Sequence, residues 1–187
     1  MIETSQADKQ RRPTKLLWLD LEFTGLDPKK YVIIEAAAKV TDFDFQPIAN
    51  FSVIIHHNEA VIAAATEWNQ SHHTASGLFD KVRTSHVSNE LAANQLADFI
   101  RKHFDDEKAI LAGNSVHQDL AFIEHYWPSV AALLHFRMLD VSAFKVLYYG
   151  KTGLKFEKEH AHRVEDDIDD SITELKFYLE NISSLRR

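Results

Sequence analysis

Leu16-Leu17-Trp18-Leu19-Asp20-Leu21-Glu22-Phe23 is the stretch that decides how this chain folds. It is apolar except at Asp20 and Glu22, and it ends at the turn signal Gly25 to Pro28, so it reads as a buried strand. Side chains two residues apart on a strand leave from the same face, which sets the two carboxylates side by side. Like charges held together in an apolar setting raise one another's pKa and destabilise the fold unless a cation neutralises them. A divalent metal is therefore the natural partner. A strand end facing water would carry the same two acids without cost, and the motif alone leaves both accounts open.

Working outward, Val32 to Val40 reads as the hairpin partner of this strand, and Phe51 to Ile55 as a third strand. Ala60 to Trp68 reads as a helix. Ser88 is placed to cap a helix running to about Phe104, with Leu91, Leu96, Phe99 and Ile100 near a 3.6 period. A short interior strand at Ala109 to Ala112 precedes a helix from Gln118 to Tyr126. A strand at Met138 to Val141 and a helix from Ser142 follow. In the last helix Ile168, Ile172, Leu175, Leu179 and Ile182 step by four and three, while Asp169, Asp170 and Glu174 lie off that stripe. Three leading strands followed by alternating helices and strands give an α/β fold, a mixed sheet flanked by helices. Residues 1–14 lack apolar periodicity and are expected to be a disordered extension, leaving 15–187 as a single domain.

With 187 residues and 45% hydrophobic content, the chain can bury one substantial core. It has no cysteine, which excludes disulfides, thiolate zinc sites and a catalytic thiol, and leaves oxygen and imidazole as the only metal donors. The same absence fits a reducing cytoplasm. The polar opening through Lys15 is neither signal peptide nor membrane span, so a cytoplasmic protein with no membrane partner is expected. A formal charge of −7 is poorly suited to gripping long nucleic acid by its phosphates. A nucleic-acid substrate should accordingly be short and held in a pocket by a few specific groups.

Two further segments carry acids. Asp119 follows the strand at 109–112 and sits near the start of a helix, where open α/β sheets place functional groups. Taken alone, it reads more readily as an ordinary acid favoured by the helix dipole than as a ligand. His162 precedes by five residues Asp167 at the start of the last helix, so a base would stand beside a metal ligand. On its own this segment also admits surface residues and a helix cap. His56-His57 is a poor chelate, because adjacent strand residues point to opposite faces.

Together the segments follow the order Asp-x-Glu, Asp, His-x4-Asp, and in this the chain resembles the DEDDh 3′→5′ exonuclease superfamily, whose fold is ribonuclease-H-like. Trp18 to Asp27, Trp68-Asn69, His73 to Leu78, Gly113-Asn114-Ser115 and Leu139 to Ser142 are similar to the oligoribonuclease family within it. The resemblance implies hydrolysis of very short RNA oligonucleotides, especially dinucleotides, to nucleoside 5′-monophosphates. It implies two Mg²⁺ or Mn²⁺ ions per site held by Asp20, Glu22, Asp119 and Asp167, with His162 as general base. It also implies a wedge at Leu26, Trp68 lining the site, and His73 beside the terminal nucleotide. Ser115, Arg137 and Ser142 would cap a 5′ phosphate. The family is dimeric, and a homodimer is expected. Phe136 stands where the family has a tyrosine that reaches the neighbouring protomer's substrate, so a hydroxyl contact is lost there. His117 and Leu120 around Asp119, and Val164-Glu165, also depart from the family pattern. The alternatives are a general DEDDh exonuclease acting on longer RNA or single-stranded DNA, and a catalytically silent nucleotide-binding module.

Overall fold

The apolar stretch at 16–23 forms the central strand of a five-stranded sheet in the computed structural model, which describes residues 12–156 and 164–181. Strand β1 (Lys15–Phe23) pairs antiparallel with β2 (Ile33–Asp42), which pairs antiparallel with β3 (Pro47–Ile54). Four helices follow: α1 (Glu59–Ala63), α2 (Glu67–Ala75), α3 (Leu78–Thr84) and α4 (Asn89–Phe104). On its other side β1 runs parallel to β4 (Ala109–Gly113). Helices α5 (His117–Tyr126) and α6 (Pro128–Ala131) lead to β5 (Leu134–Asp140), parallel to β4. Helices α7 (Val141–Thr152) and α8 (Val164–Glu180) complete the described chain. The sheet order is β3-β2-β1-β4-β5, the mixed α/β arrangement that the sequence predicts.

The two-residue period of β1 sorts its side chains into separate cores. Leu17, Leu19, Leu21 and Phe23 pack with Leu96 and Ile100 of α4 and Phe122 and Ile123 of α5. Leu16 and Trp18 pack on the opposite face with Ile168, Ile172, Leu175 and Tyr178 of α8. Trp18 is fully buried, and its indole N–H donates to Thr41 Oγ1 at 3.0 Å. Asp20 and Glu22 continue this second face beyond the point where apolar residues fill it.

Several elements differ from expectation for physical reasons. The helix predicted over 60–68 is two helices, because Thr66 adopts an extended conformation and caps α2 by accepting from Asn69 N–H. Its own N–H donates to Thr24 O at 2.9 Å, a bond to the distant β1 loop that local periodicity cannot reveal. Helices α3 and α6 were not anticipated; α3 starts at Gly77 in the left-handed region (φ 72°), and α6 starts at a proline. Strands β3 and β5 begin earlier than predicted, and the first residues of β3 are exposed on the sheet edge, without the apolar alternation that marks a strand. Ser88 caps α4 as expected, but Leu91 points to solvent and the alanines 92, 93 and 97 are buried instead. In α8 the buried stripe passes through Tyr178 rather than Leu179, and Asp170 and Glu174 are buried. Ile182 lies outside the described residues, as do residues 1–11 of the predicted extension.

Candidate active site at the end of the central strand

Sheet and helix bring together what the sequence separates by about 145 residues. Carboxylate oxygens of Asp20 and Glu22 on β1 and Asp167 in the first turn of α8 all lie within 4.8 Å of one another. Because α8 packs along the Leu16–Trp18 face, its N-terminal end falls where that face turns acidic. A register shift between Glu22 and Phe23 ends the regular hairpin at this point, and Glu22 faces Glu35 across the strands. Burial, followed by repulsion from Asp20, Glu35 and Asp167, pushes the Glu22 carboxyl up to about 8. His73 Nε2 stands 3.8 Å from Glu22 Oε2.

Asp119 approaches from α5 on the other side of β1. Strands β1 and β4 pair only over Leu16–Trp18 and Ile110–Ala112, so the backbone N–H of Leu21 has no strand partner there. Asp119 Oδ1 accepts it at 2.9 Å. Burial, with repulsion from Asp20, holds the Asp119 carboxyl well above the usual carboxylate range. It lies outside the cluster of three but acts on it electrostatically. An all-oxygen donor set in which Glu22 and Asp119 resist deprotonation fits a hard divalent cation, which would supply the missing positive charge.

Around the carboxylates the nucleotide-binding candidates fall into two groups. Phe23 O, next to Glu22, accepts from His73 Nε2 at 3.0 Å and from Asn69 Nδ2, which places α2 against the site. Burial pushes the His73 imidazole below its ordinary value. Trp68, one residue before Asn69, is 66% exposed and stacks on His72 with centroids 4.7 Å apart. Leu26 is 70% exposed in the loop after β1, and its carbonyl accepts from Gln118 Nε2 at 2.7 Å. The second group is at the carboxyl ends of β4 and β5. Ser115 N–H donates to Asp140 Oδ1 at 3.0 Å and to Ser142 Oγ at 2.9 Å, and the two serine hydroxyls are 3.1 Å apart. Ser115 is held at φ 52° to do this. Arg137 and Phe136 are exposed on β5, with the guanidinium 4.9 Å from the ring centroid. The structure thus unites Ser115 with Ser142, while Arg137 rests on Phe136. His162 lies outside the described residues. His57 Nε2 and His56 Nδ1 hold the carbonyls of Ile33 and Val82, which gives these adjacent imidazoles a structural use.

The exonuclease family RNase_T matches residues 17–175 of the chain. An oligoribonuclease of Francisella tularensis subsp. tularensis (strain WY96-3418) is 43% identical over 173 residues, covering 91% of this chain and 97% of that protein. The chain belongs to the oligoribonuclease family of exonucleases. A second member, the oligoribonuclease of Ruthia magnifica subsp. Calyptogena magnifica, is 40% identical over 171 residues, 89% of this chain and 95% of its own. As a member of this exonuclease family the protein is a nuclease, a hydrolase of phosphodiester bonds, and its cluster of three carboxylates is one that could hold a metal ion.

Among solved structures, E. coli exonuclease I in complex with a dT13 oligonucleotide superposes with a TM-score of 0.61 at 14% identity, over 90% of this chain and 41% of that one. The zinc-bound form of the E. coli exonuclease I–ssDNA complex gives 0.65 at 16% identity, over 94% and 42%. The chain spans less than half the length of these solved proteins. Their likeness establishes the ribonuclease-H-like fold that oligoribonucleases share with them. Some residues of this oligoribonuclease site escape a reading of the sequence. Glu35 becomes part of the electrostatics only once the hairpin register sets it opposite Glu22. Asp140 is the N-cap of α7, accepting from Ser142 N–H, and the same carboxylate also organises the turn at Ser115.

Proposed function

We propose that the protein removes nucleoside 5′-monophosphates from the 3′ end of very short RNA, with dinucleotides preferred, using two Mg²⁺ or Mn²⁺ ions. The observation that carries this reading is the convergence of Asp20, Glu22 and Asp167 within 4.8 Å beside the buried Asp119. Divalent ions bound at such a site would supply the positive charge that stabilises phosphodiester hydrolysis. Asp20, Glu22 and Asp167 would hold one ion. Asp20 would also help to hold the second, supported by Asp119. His162 accepts the proton of the attacking water, since a neutral imidazole with an ordinary pKa near 6.5 is a competent base at neutral pH.

Substrate length is read by the exposed Leu26 and Trp68 and the buried His73. Leu26 wedges between two bases, Trp68 lines the site, and His73 adjoins the terminal nucleotide with its Nε2 already engaged by Phe23. Ser115, Ser142 and Arg137 cap the 5′ phosphate, Arg137 being suited to forked contacts. A closed phosphate cap explains how a chain of charge −7 handles RNA without a basic track. Residues 15–187 act as one catalytic domain behind the extension at 1–14. The chain works as a homodimer in the cytoplasm, with Phe136 contributing stacking to the partner's substrate. No helix among the described residues is long and apolar enough to cross a membrane.

The test incubates the protein with a 5′-labelled dinucleotide and a 5′-labelled oligomer of about twenty nucleotides, with Mg²⁺, Mn²⁺ or chelator. Rapid metal-dependent cleavage of the dinucleotide with slow trimming of the oligomer is expected. The reverse preference would identify a general exonuclease, and binding without cleavage a silent module.

A further inference from the structure

Behind the serine pair, one amide has every hydrogen-bonding atom assigned. Asn114 Nδ2 donates to Glu174 Oε2 and to Ser171 Oγ, each at 3.0 Å. Its Oδ1 is thereby turned the other way, where it accepts from Ser142 Oγ at 3.3 Å. A flipped amide would set Oδ1 against the Glu174 carboxylate, acceptor against acceptor, so Glu174 fixes the orientation. Glu174 is itself fully buried, accepts from Tyr178 OH at 2.7 Å and has Lys145 Nζ 3.6 Å away. Ser171 Oγ donates to Asp167 O at 2.9 Å and is therefore free to accept from Asn114.

The proton count at the serines follows. Ser142 gives its hydrogen to Asn114 and accepts from the backbone N–H of Ser115. The Ser115 backbone N–H, the other donor at this turn, is committed to Asp140 and Ser142. Since Ser142 gives its own hydrogen to Asn114, the 3.1 Å contact between the hydroxyls is made by Ser115 Oγ–H donating to Ser142 Oγ, and this hydrogen, on an exposed residue, is the one a ligand can draw away.

We propose that Asn114 is a specificity-positioning residue: held by Glu174 and Ser171 of α8, it locks the Ser142 hydroxyl inward and leaves Ser115 Oγ–H as the hydroxyl donor to a terminal phosphate. The same amide ties the phosphate end of the site to the turn of α8 that carries Asp167. This rests on the reading of Ser115, Ser142 and Arg137 as a 5′-phosphate cap.

The experiment measures binding of a 5′-phosphorylated dinucleotide and its 5′-hydroxyl counterpart in chelator, then KM and kcat for both with Mg²⁺. Asn114→Ala is expected to weaken the phosphorylated ligand on the order of tenfold, in both Kd and KM, with kcat and the hydroxyl ligand unchanged. Ser115→Ala should abolish the preference for phosphate. Glu174→Gln keeps an amide oxygen to accept from Asn114 and should retain it. If Asn114→Ala does not fold, Asn114→Ser makes the same comparison. Preference lost in Ser115→Ala but intact in the Asn114 variant would overturn the inference and leave the cap standing. Preference unchanged in Ser115→Ala, Ser142→Ala and Arg137→Ala alike would remove the cap itself. Equal weakening of both ligands in the Asn114 variant would also overturn the inference, since a specificity role requires the difference.

Discussion

Glu22 shows how a single side chain links the fold to its ion. Its carboxyl sits at about 8 because burial and three neighbouring acids oppose the charged form. A group whose folded pKa exceeds its unfolded value binds a proton in the native state that the unfolded chain has already released. Without metal, stability is therefore lost as pH rises through the window between the ordinary carboxylate value and about 8. Asp119 acts in the same direction. The imidazoles of His57 and His73, pushed down by burial, act oppositely at lower pH. Above about pH 7 they are largely neutral in both states. We expect the Tm in chelator to fall between about pH 7 and 8.5, and Mg²⁺ to restore it. A rising Tm over that interval would contradict the burial of these acids. Metal titration by calorimetry separates the roles further: Asp20→Asn should lose ion binding, whereas His162→Ala should keep it and lose most of its turnover. Asp20, Glu22 and Asp167 were legible because spacing and residue type survive in one dimension. Glu35, Asp140 and Asn114 were not, since each acquires its role from a partner far along the chain.

Elements with a clean period were readable, and those defined by a long-range bond were not. Strand β1 and helices α4 and α5 appear where the apolar pattern sets them, because alternate side chains of β1 enter two cores and each helix presents one face to the first of these. Helix α8 is covered by α7 as well as the sheet, with Tyr148 packed 5.3 Å from Tyr178, so its buried arc widens and takes in Glu174. A stripe of five aliphatic positions could not forecast that. The close approach of β4 to β1 makes a sharper demand. A Cβ on Gly113 would lie 2.8 Å from Leu19 O, a backbone atom of the central strand that cannot move aside cheaply. Gly113→Ala should cost about 1–3 kcal/mol by overpacking. Chemical denaturation checks this, and an unchanged midpoint would show that the two strands can separate.

At the scale of the whole molecule, β5 is the edge strand of the sheet among the described residues and carries Phe136, 76% exposed, while α7, which follows it, exposes Val146 at 73%. Sheet edges and exposed apolar side chains call for cover. The homodimer proposed for this chain would supply it, so light scattering should give about twice the mass of the 21.5 kDa chain. A monomeric mass would remove Phe136 from the account of substrate binding. Fold and family were readable from one sequence because the carboxylate motif and the central strand are the same stretch of residues. A meeting of two copies would leave only scattered exposed side chains as its trace. That central strand carries a last consequence. Past Trp18 it loses β4 as a neighbour, and the Leu21 amide is bonded to the carboxylate of Asp119. The resonance of that one proton would follow the charge on Asp119 as pH changes or an ion arrives, so the molecule contains its own spectroscopic indicator, with no label added.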